Sequence, residues 1–243
     1  MENKITQAVI LSAGLGTRLR PITDNIPKVM VPLAGKPLLE RHILQFKKYG
    51  VNEFFVNLHY LPDAIKNHFG NGSKWGVRIH YAFEPEIRGT AGGVKQFEPL
   101  LGETFFVIYG DMYSELDYGK MAEAFVAKPA DTAGMMTISE NDHPHDSDLV
   151  EVADDLRFFK VHAKPHKELP ATRKALDAAY IFRKKILKYI PAGKYYEIDH
   201  MLLPEIIARG EKFYGYETGD FLYDIGTMER YETVERRLAD GHG

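Results

Sequence analysis

The sequence predicts an α/β fold on a doubly wound, mostly parallel sheet, and three observations carry that expectation. Apolar, β-branched runs alternate with amphipathic stretches of helical period along the first half of the 243-residue chain. The first and fourth of these runs are apolar nearly throughout, as strands covered on both faces are. Beyond about residue 139 the strand candidates shorten and lie among polar residues, which predicts a small β subdomain beside a Rossmann-like sheet.

The elements follow in order. Ala8 to Leu11 is the first strand. Leu38, Leu39, His42, Ile43, Phe46 and Tyr49 recur at the spacing of one helix face, and Gly50 stops that helix. Phe54 to Leu58 is the second strand, Pro62 opens a helix to about Phe69, and Val77 to Tyr81 and Phe105 to Tyr109 are the third and fourth strands. This βαβαβ order puts ligand-binding loops beyond the carboxyl ends of the strands. A polar stretch, Asn141 to Asp148, leads to strand candidates at Leu149 to Val152, Phe158 to Val161 and Ala178 to Phe182. Helices are expected at Ile198 to Ala208 and Met228 to Leu238, flanking strands at Phe213 to Tyr216 and Phe221 to Tyr223. One domain is expected over residues 1–243, with a first half at 1–139, a second part at 140–226 and a terminal helix at 227–243.

Composition narrows the chemistry. A chain that is 44% hydrophobic with a net charge of -3 suits one large α/β domain. With no cysteine, disulfides, thiolate metal sites and cysteine nucleophiles are excluded, so a metal would take oxygen or nitrogen ligands and a hard cation such as Mg²⁺ leads. The weakly acidic balance gives no footprint for nucleic acid and favours a small anionic substrate. No apolar run approaches the roughly 20 residues of a membrane span, and Met1-Glu2-Asn3-Lys4 shows no signal-peptide pattern. A cytoplasmic protein without membrane partners is expected, and a homo-oligomer stays open. His143, His145, His162 and His166 lie among polar neighbours and read as solvated, whereas His59 and Tyr60, directly after a strand, read as lining a pocket.

The first strand runs into Ser12-Ala13-Gly14-Leu15-Gly16-Thr17-Arg18-Leu19-Arg20-Pro21, whose glycines allow backbone N–H groups to turn toward an anion. A dinucleotide fingerprint would need glycine at Leu19, and a Walker loop ending at Gly35-Lys36 would need glycine at Met30 and Ser or Thr at Pro37, so both fail. Further on, Pro27-Lys28 presents a lysine from a proline-fixed backbone rather than from a run of charges. Asp111 follows the buried strand Phe105 to Tyr109, and Asp224 follows Phe221 to Tyr223. A carboxylate past a buried strand is costly unless paired or metal-bound, and Mg²⁺ is typically held by one or two of them plus substrate phosphates. Asp24 and Asp199 read as caps.

Together, Gly-Leu-Gly-Thr-Arg-Leu-Arg-Pro, Pro27-Lys28 and Gly35-Lys36-Pro37 resemble the signature of the sugar-1-phosphate nucleotidyltransferases. The resemblance continues through Val56-Asn57-Leu58-His59-Tyr60, Gly89-Thr90-Ala91-Gly92-Gly93, Gly110-Asp111 and Asp224-Ile225-Gly226-Thr227, nearly the whole chain. It implies transfer of a nucleoside monophosphate from an NTP to a sugar 1-phosphate with release of pyrophosphate, and Mg²⁺ as cofactor. It further implies Lys28, Arg18 and Asp111 as catalytic residues and Asp111 and Asp224 as metal ligands. Leu11, Ala13, Gly14, Gly16, Thr17, Glu84, Gly89 and Thr90 would contact the nucleotide, and Lys164 and Gly110 the acceptor.

Lys164-Pro165 resembles the family's Glu-Lys-Pro element with Ala163 in the glutamate's place, and Leu176 to Phe182 resembles Asn-Ala-Gly-Ile-Tyr-Val-Phe with Leu176 for asparagine and Ala178 for glycine. Both departures concern the acceptor. Gly89-Thr90-Ala91-Gly92 resembles the guanylyltransferases for mannose or heptose 1-phosphate, so GTP is the expected donor. UTP stays open through the short muramate-type uridylyltransferases. Two rivals remain: a cytidylyltransferase for a phosphorylated alcohol, and a catalytically silent nucleotide sensor.

Overall fold

The computed structural model describes residues 4–140 and 143–241. Met1 to Asn3 and Asn141 with Asp142, on which two of the sequence expectations partly fall, lie outside the described residues. The chain opens with β1 (Gln7–Leu11), the short β2 (Pro32–Leu33) and β3 (Lys36–Pro37), α1 (Leu38–Lys48), β4 (Glu53–Leu58), α2 (Pro62–Phe69) and β5 (Arg78–Phe83). Then come α3 (Gly89–Lys95), β6 (Thr104–Tyr109), β7 (Met112–Ser114), α4 (Tyr118–Val126) and β8 (Thr132–Glu140). The remainder is β9 (Leu149–Val152), β10 (Phe158–His162), β11 (Lys174–Arg183), α5 (Leu203–Ala208), β12 (Lys212–Glu217), β13 (Leu222–Asp224) and α6 (Met228–Ala239).

Two compact units are assembled from interleaved stretches of this mixed α/β chain. One consists of Lys4–Ile87, Val107–Tyr118 and the chain from Asp220 onward. Its strands β1 and β4, and β4 and β5, pair in parallel, and β6 lies beside β1. Phe54 to Leu58 is buried without alternation because both faces of the strand are covered. Helix α1 buries Leu38, Leu39, His42, Ile43 and Phe46, the stripe that its period predicts. A core of Leu19, Val31, Leu33, Leu38, Tyr113, Ile225 and Val234 joins the loop after β1 to α6. Burying each such aliphatic side chain contributes about 1.5–3 kcal/mol, which fixes the connecting loops against the sheet.

The second unit consists of Arg88–Phe106 and Gly119–Gly219. Within it β11 pairs antiparallel with β8 and β9, β9 pairs antiparallel with β10, and β12 pairs in parallel with β8. The expected strand at Ala178 to Phe182 is longer, beginning at Lys174, and its register against β8 shifts between Leu176 and Tyr180. The helix expected over 198–208 begins as a wide turn of π type over Ile198–Leu202 and becomes α-helical only at Leu203. Pro204 accounts for the break, since it has no N–H to give the preceding turn and its ring crowds the carbonyl four residues back. Gly89 to Gly93, expected as loop, begins α3.

Candidate active site

Three short segments of the first unit meet around one lysine. Lys28, in a 3₁₀ turn of Lys28–Met30 after Pro27, is 8% exposed and donates from Nζ to Asp111 Oδ2 at 2.7 Å and to Asp224 Oδ1 at 3.2 Å. The carboxylates meet because β7 and β13 pair antiparallel, with Met112 opposite Asp224, and Ile225 N donates to the Asp111 carbonyl at 3.0 Å. Asp111 lies beyond the end of β6, as expected. Asp224 differs from expectation: it ends a three-residue antiparallel strand, and Thr227 caps the following helix by accepting from Arg230 N.

Arg230, which the sequence reading did not single out, donates from Nη1 to Asp224 Oδ2 at 2.5 Å. Burial raises the Asp224 carboxyl, but the Lys28 and Arg230 cations outweigh it and hold the group below its ordinary value. Arg18 joins the same corner: a Cβ on Gly226 would meet both Asp224 oxygens at 2.8 Å and Arg18 Nη2 at 3.0 Å. Position 226 thus has room for no side chain between a guanidinium and a carboxylate.

The glycine loop rises beside this cluster. Gly16 is left-handed at φ 65°, its carbonyl accepts from Thr23 Oγ1 at 2.7 Å, and a Cβ there would crowd Thr23 and Lys28 Cβ at 3.2–3.3 Å. Gly14 and Thr17 are exposed, and nothing lies within 4 Å of where a Gly14 Cβ would stand. A bare, solvent-facing backbone next to cations suits an anion. The base of the loop is fixed by a buried chain: Ser12 N donates to Asn57 Oδ1 at 2.6 Å, and Asn57 Nδ2 donates to Glu84 Oε1 at 2.8 Å. Leu11 and Ala13 flank Ser12 at the end of β1.

Several expected site residues have structural partners. Glu84 is 0% exposed and bonded to Asn57. Gly110 is buried, donates to the Leu11 carbonyl at 2.8 Å, and could carry no Cβ, which would stand 2.6 Å from that oxygen. His59 Nδ1 shares a hydrogen with the Glu84 carbonyl at 2.7 Å, and the Tyr60 hydroxyl donates to the Thr23 and Asp24 carbonyls, so both clasp loops. Asp24 is no cap but an ion-pair partner of Arg20 at 3.3 Å. His42 is buried and lowered to about 4 by that burial, with the backbone at Gly110 and Met112, on either side of Asp111, and the Asp111 charge opposing.

In the second unit, Gly89 has φ 71°, and Cβ atoms at Gly89 and Gly92 would stand 2.6 Å from Tyr196 O and 2.8 Å from Lys194 O. Thr90 Oγ1 accepts from Ile198 N at 2.8 Å. Lys164 is exposed; its backbone N–H donates to Asp148 Oδ1 at 2.9 Å and Nζ to the Asp146 carbonyl at 2.8 Å. Asp199, read as a cap, accepts from the Tyr180 hydroxyl at 2.8 Å. His162 pairs with Glu151 and His166 meets the Ser147 carbonyl. Among the described residues no three His, Asp or Glu side chains cluster in a way that would hold a metal, and no helix is long and apolar enough to cross a membrane.

This α/β unit thus sets an open glycine turn beside a cation-bridged pair of carboxylates, one just past the end of β6 and the other ending β13, an arrangement suited to phosphate. The chain belongs to the nucleotidyl transferase family, whose model matches residues 7–241. It is 32% identical over 238 residues to a UTP–glucose-1-phosphate uridylyltransferase of Synechocystis, covering 93% of this chain and 61% of the relative. It is 38% identical to the N-acetylmuramate alpha-1-phosphate uridylyltransferase of Neisseria meningitidis serogroup B, covering 94% of this chain and 96% of the relative. The fold superposes on the solved structure of HddC from Yersinia pseudotuberculosis with a TM-score of 0.78 at 26% identity, covering 96% and 100% of the two chains.

Proposed function

We propose that the protein transfers a nucleoside monophosphate from an NTP to a sugar 1-phosphate. The observation that carries this reading is the cluster of Lys28, Asp111 and Asp224 beside the open Gly14–Gly16 backbone. The acceptor phosphate is already anionic at neutral pH, so no base is needed to create the nucleophile. One of its oxygens forms a bond to the α-phosphorus, the bond to the bridging oxygen breaks, and pyrophosphate leaves with that electron pair. What the enzyme supplies is alignment and neutralisation of growing charge. Lys28 faces the reacting phosphate, Arg18 and the glycine loop hold the leaving pyrophosphate, and Lys164 binds the acceptor's phosphate. Retention of Asp111, Asp224, Lys28 and Arg18 together argues against a silent sensor.

The donor set suits Mg²⁺: two carboxylates, partly exposed at 37% and 25%, share one point, and both offer oxygen. Asp111 and Asp224 would hold the ion, which supplies charge neutralisation at the phosphates. The ammonium of Lys28 bridges these oxygens.

For the base, we prefer UTP to the GTP expected from the sequence, on three grounds. The glycines at 89 and 92 that suggested guanine have a packing reason in Lys194 and Tyr196, and the Glu84 carboxylate, expected to contact the nucleotide, is buried on Asn57. The N. meningitidis relative, matched over nearly its whole length, is a uridylyltransferase by name. Incubation with each NTP, Mg²⁺ and a panel of sugar 1-phosphates, followed by pyrophosphate detection, tests the reading. Pyrophosphate release with UTP and an amino-sugar or hexose 1-phosphate is expected. A clear GTP advantage restores the guanylyl reading, turnover only of CTP with a phosphorylated alcohol replaces the sugar, and no turnover with any pair overturns the activity.

A further inference from the structure

We propose that Asp177 is a specificity-determining residue for the acceptor, taking a hydrogen bond from a neutral donor, a hydroxyl or an acylamino N–H, on the phosphorylated sugar. The inference rests on the proposed function and concerns the second unit alone.

Three strands there bring their ends together. His162 on β10 is opposite Leu149 on β9, and Leu149 is opposite Ala175 on β11. One step beyond this row lie Ala163 with Lys164, Asp148, and Leu176 with Asp177. Asp148 ties the group together: its carboxylate accepts from Lys164 N and its carbonyl accepts from Leu176 N, both at 2.9 Å. Asp177 therefore stands at the same end of the sheet as the lysine expected to hold the acceptor's phosphate. Ala163 and Leu176, its companions in the row, have no polar side-chain atom.

The backbone at Asp177 is irregular. Leu176 is opposite Ile138 and Tyr180 is opposite Met136, so β11 spends four residues where β8 spends two. Such a bulge re-aims side chains, and bulges concentrate beside functional sites. On it sits a part-buried carboxylate whose one hydrogen-bond donor among the described residues is the Ser139 hydroxyl, at 2.9 Å from Oδ1. A carboxylate accepts at about four lone-pair sites, and one held partly out of water with a single such partner is costly to keep. Burial raises the group to about 6, against the opposing Ser139 bond. An asparagine or serine would fill the position at less cost, unless an acceptor is required there for something that binds.

The test compares wild type with Asp177→Asn and Asp177→Ala. Steady-state kinetics with UTP are run on glucose 1-phosphate, mannose 1-phosphate, N-acetylglucosamine 1-phosphate and deoxy analogues, alongside calorimetric titration of the same sugar phosphates. We expect both variants to raise the Michaelis constant of the preferred acceptor at least about 10-fold, with that of UTP moving less than about 2-fold. Discrimination against the deoxy analogue that lacks the donor should shrink by a similar factor. Folding is checked by thermal unfolding, where Asp177→Asn should match or exceed wild type at pH 7. Unchanged acceptor constants and ranking in variants of an active enzyme overturn the Asp177 inference and leave the activity standing. A wild type that neither turns over nor binds any sugar phosphate overturns both.

Discussion

Lys28 donates to Asp111 across 83 residues of chain, Nζ to Oδ2 at 2.7 Å, and does so from a side chain only 9% exposed. An ammonium this shielded has given up most of its hydration, so its charge acts at short range and with little screening.

Replacing Lys28 by Ala should therefore lower turnover at least about 10²-fold, since it removes a preorganised charge from the reacting phosphate. Circular dichroism should show the fold retained. Near-normal turnover in the folded variant removes Lys28 from the chemistry. The same substitution should cost stability at neutral pH, because Asp224 loses one of two cations. The lowered carboxyl of Asp224 contributes stability that is present above its ordinary value of 3.8 and lost as pH falls through its depressed one. The stability gap between wild type and variant should accordingly narrow in acid, as unfolding in urea at pH 7 and pH 3 would measure.

Asp111→Asn and Asp224→Asn should each abolish magnesium-dependent activity at ordinary ion concentrations. An amide is neutral and offers one oxygen where the carboxylate offers two. Titration of activity with Mg²⁺ checks this, and curves superimposable on wild type in both variants would place the ion elsewhere.

Two glycines should separate cleanly. Gly14→Ala meets nothing within 4 Å, so stability should stay within about 0.5 kcal/mol of wild type. The exposed loop gains a methyl group on the face offered to phosphate, so the Michaelis constant for the NTP should rise about 10-fold. Gly89→Ala must combine φ 71° with a Cβ 2.6 Å from the Tyr196 carbonyl, and should lose at least about 1–3 kcal/mol in urea unfolding. An NTP constant unmoved by Gly14→Ala would count against the loop as a phosphate site.

Asp177→Asn gives a pH prediction of opposite sign to Asp224. The Asp177 carboxyl is raised from 3.8 to about 6, so its protonation contributes stability that is fully present below 3.8 and lost as pH rises through about 6. The asparagine variant never bears that charge. Its advantage over wild type should be near zero at pH 4 and reach at most about 3 kcal/mol above pH 7, taking about 1.4 kcal/mol per pH unit. A gap independent of pH would show that Asp177 carries no burial penalty.

Much of the first unit was legible because its strands are apolar on both faces and its helices keep one buried stripe. The second unit was less so. The nine-residue strand Thr132–Glu140 includes Gly134, Met135 and Met136, with little β-branching and no alternation, and it is recognisable only through its partners β11 and β12. Asp111 could be placed from the buried run before it. The partnership of Asp224 with Lys28 depends on the antiparallel pairing of β7 with β13, over a hundred residues apart, and no local pattern encodes it. Arg230 gave a weak sign, lying one turn into a helix that Thr227 caps, but its reach back to Asp224 is a fact of packing.

The interleaving of the two units bears on how the protein is made. The unit that carries Lys28 draws its first stretch from before residue 88 and its last from Asp220 onward, with most of the other unit's sequence threaded between. Chains emerging from a ribosome fold from their amino terminus. The lysine and Asp111 thus wait through more than a hundred further residues of synthesis before Asp224 and Arg230 arrive to complete their charge balance. Any fragment that stops short of residue 220 lacks Ile225 and Val234, and with them part of the cover over Leu19, Val31 and Leu33.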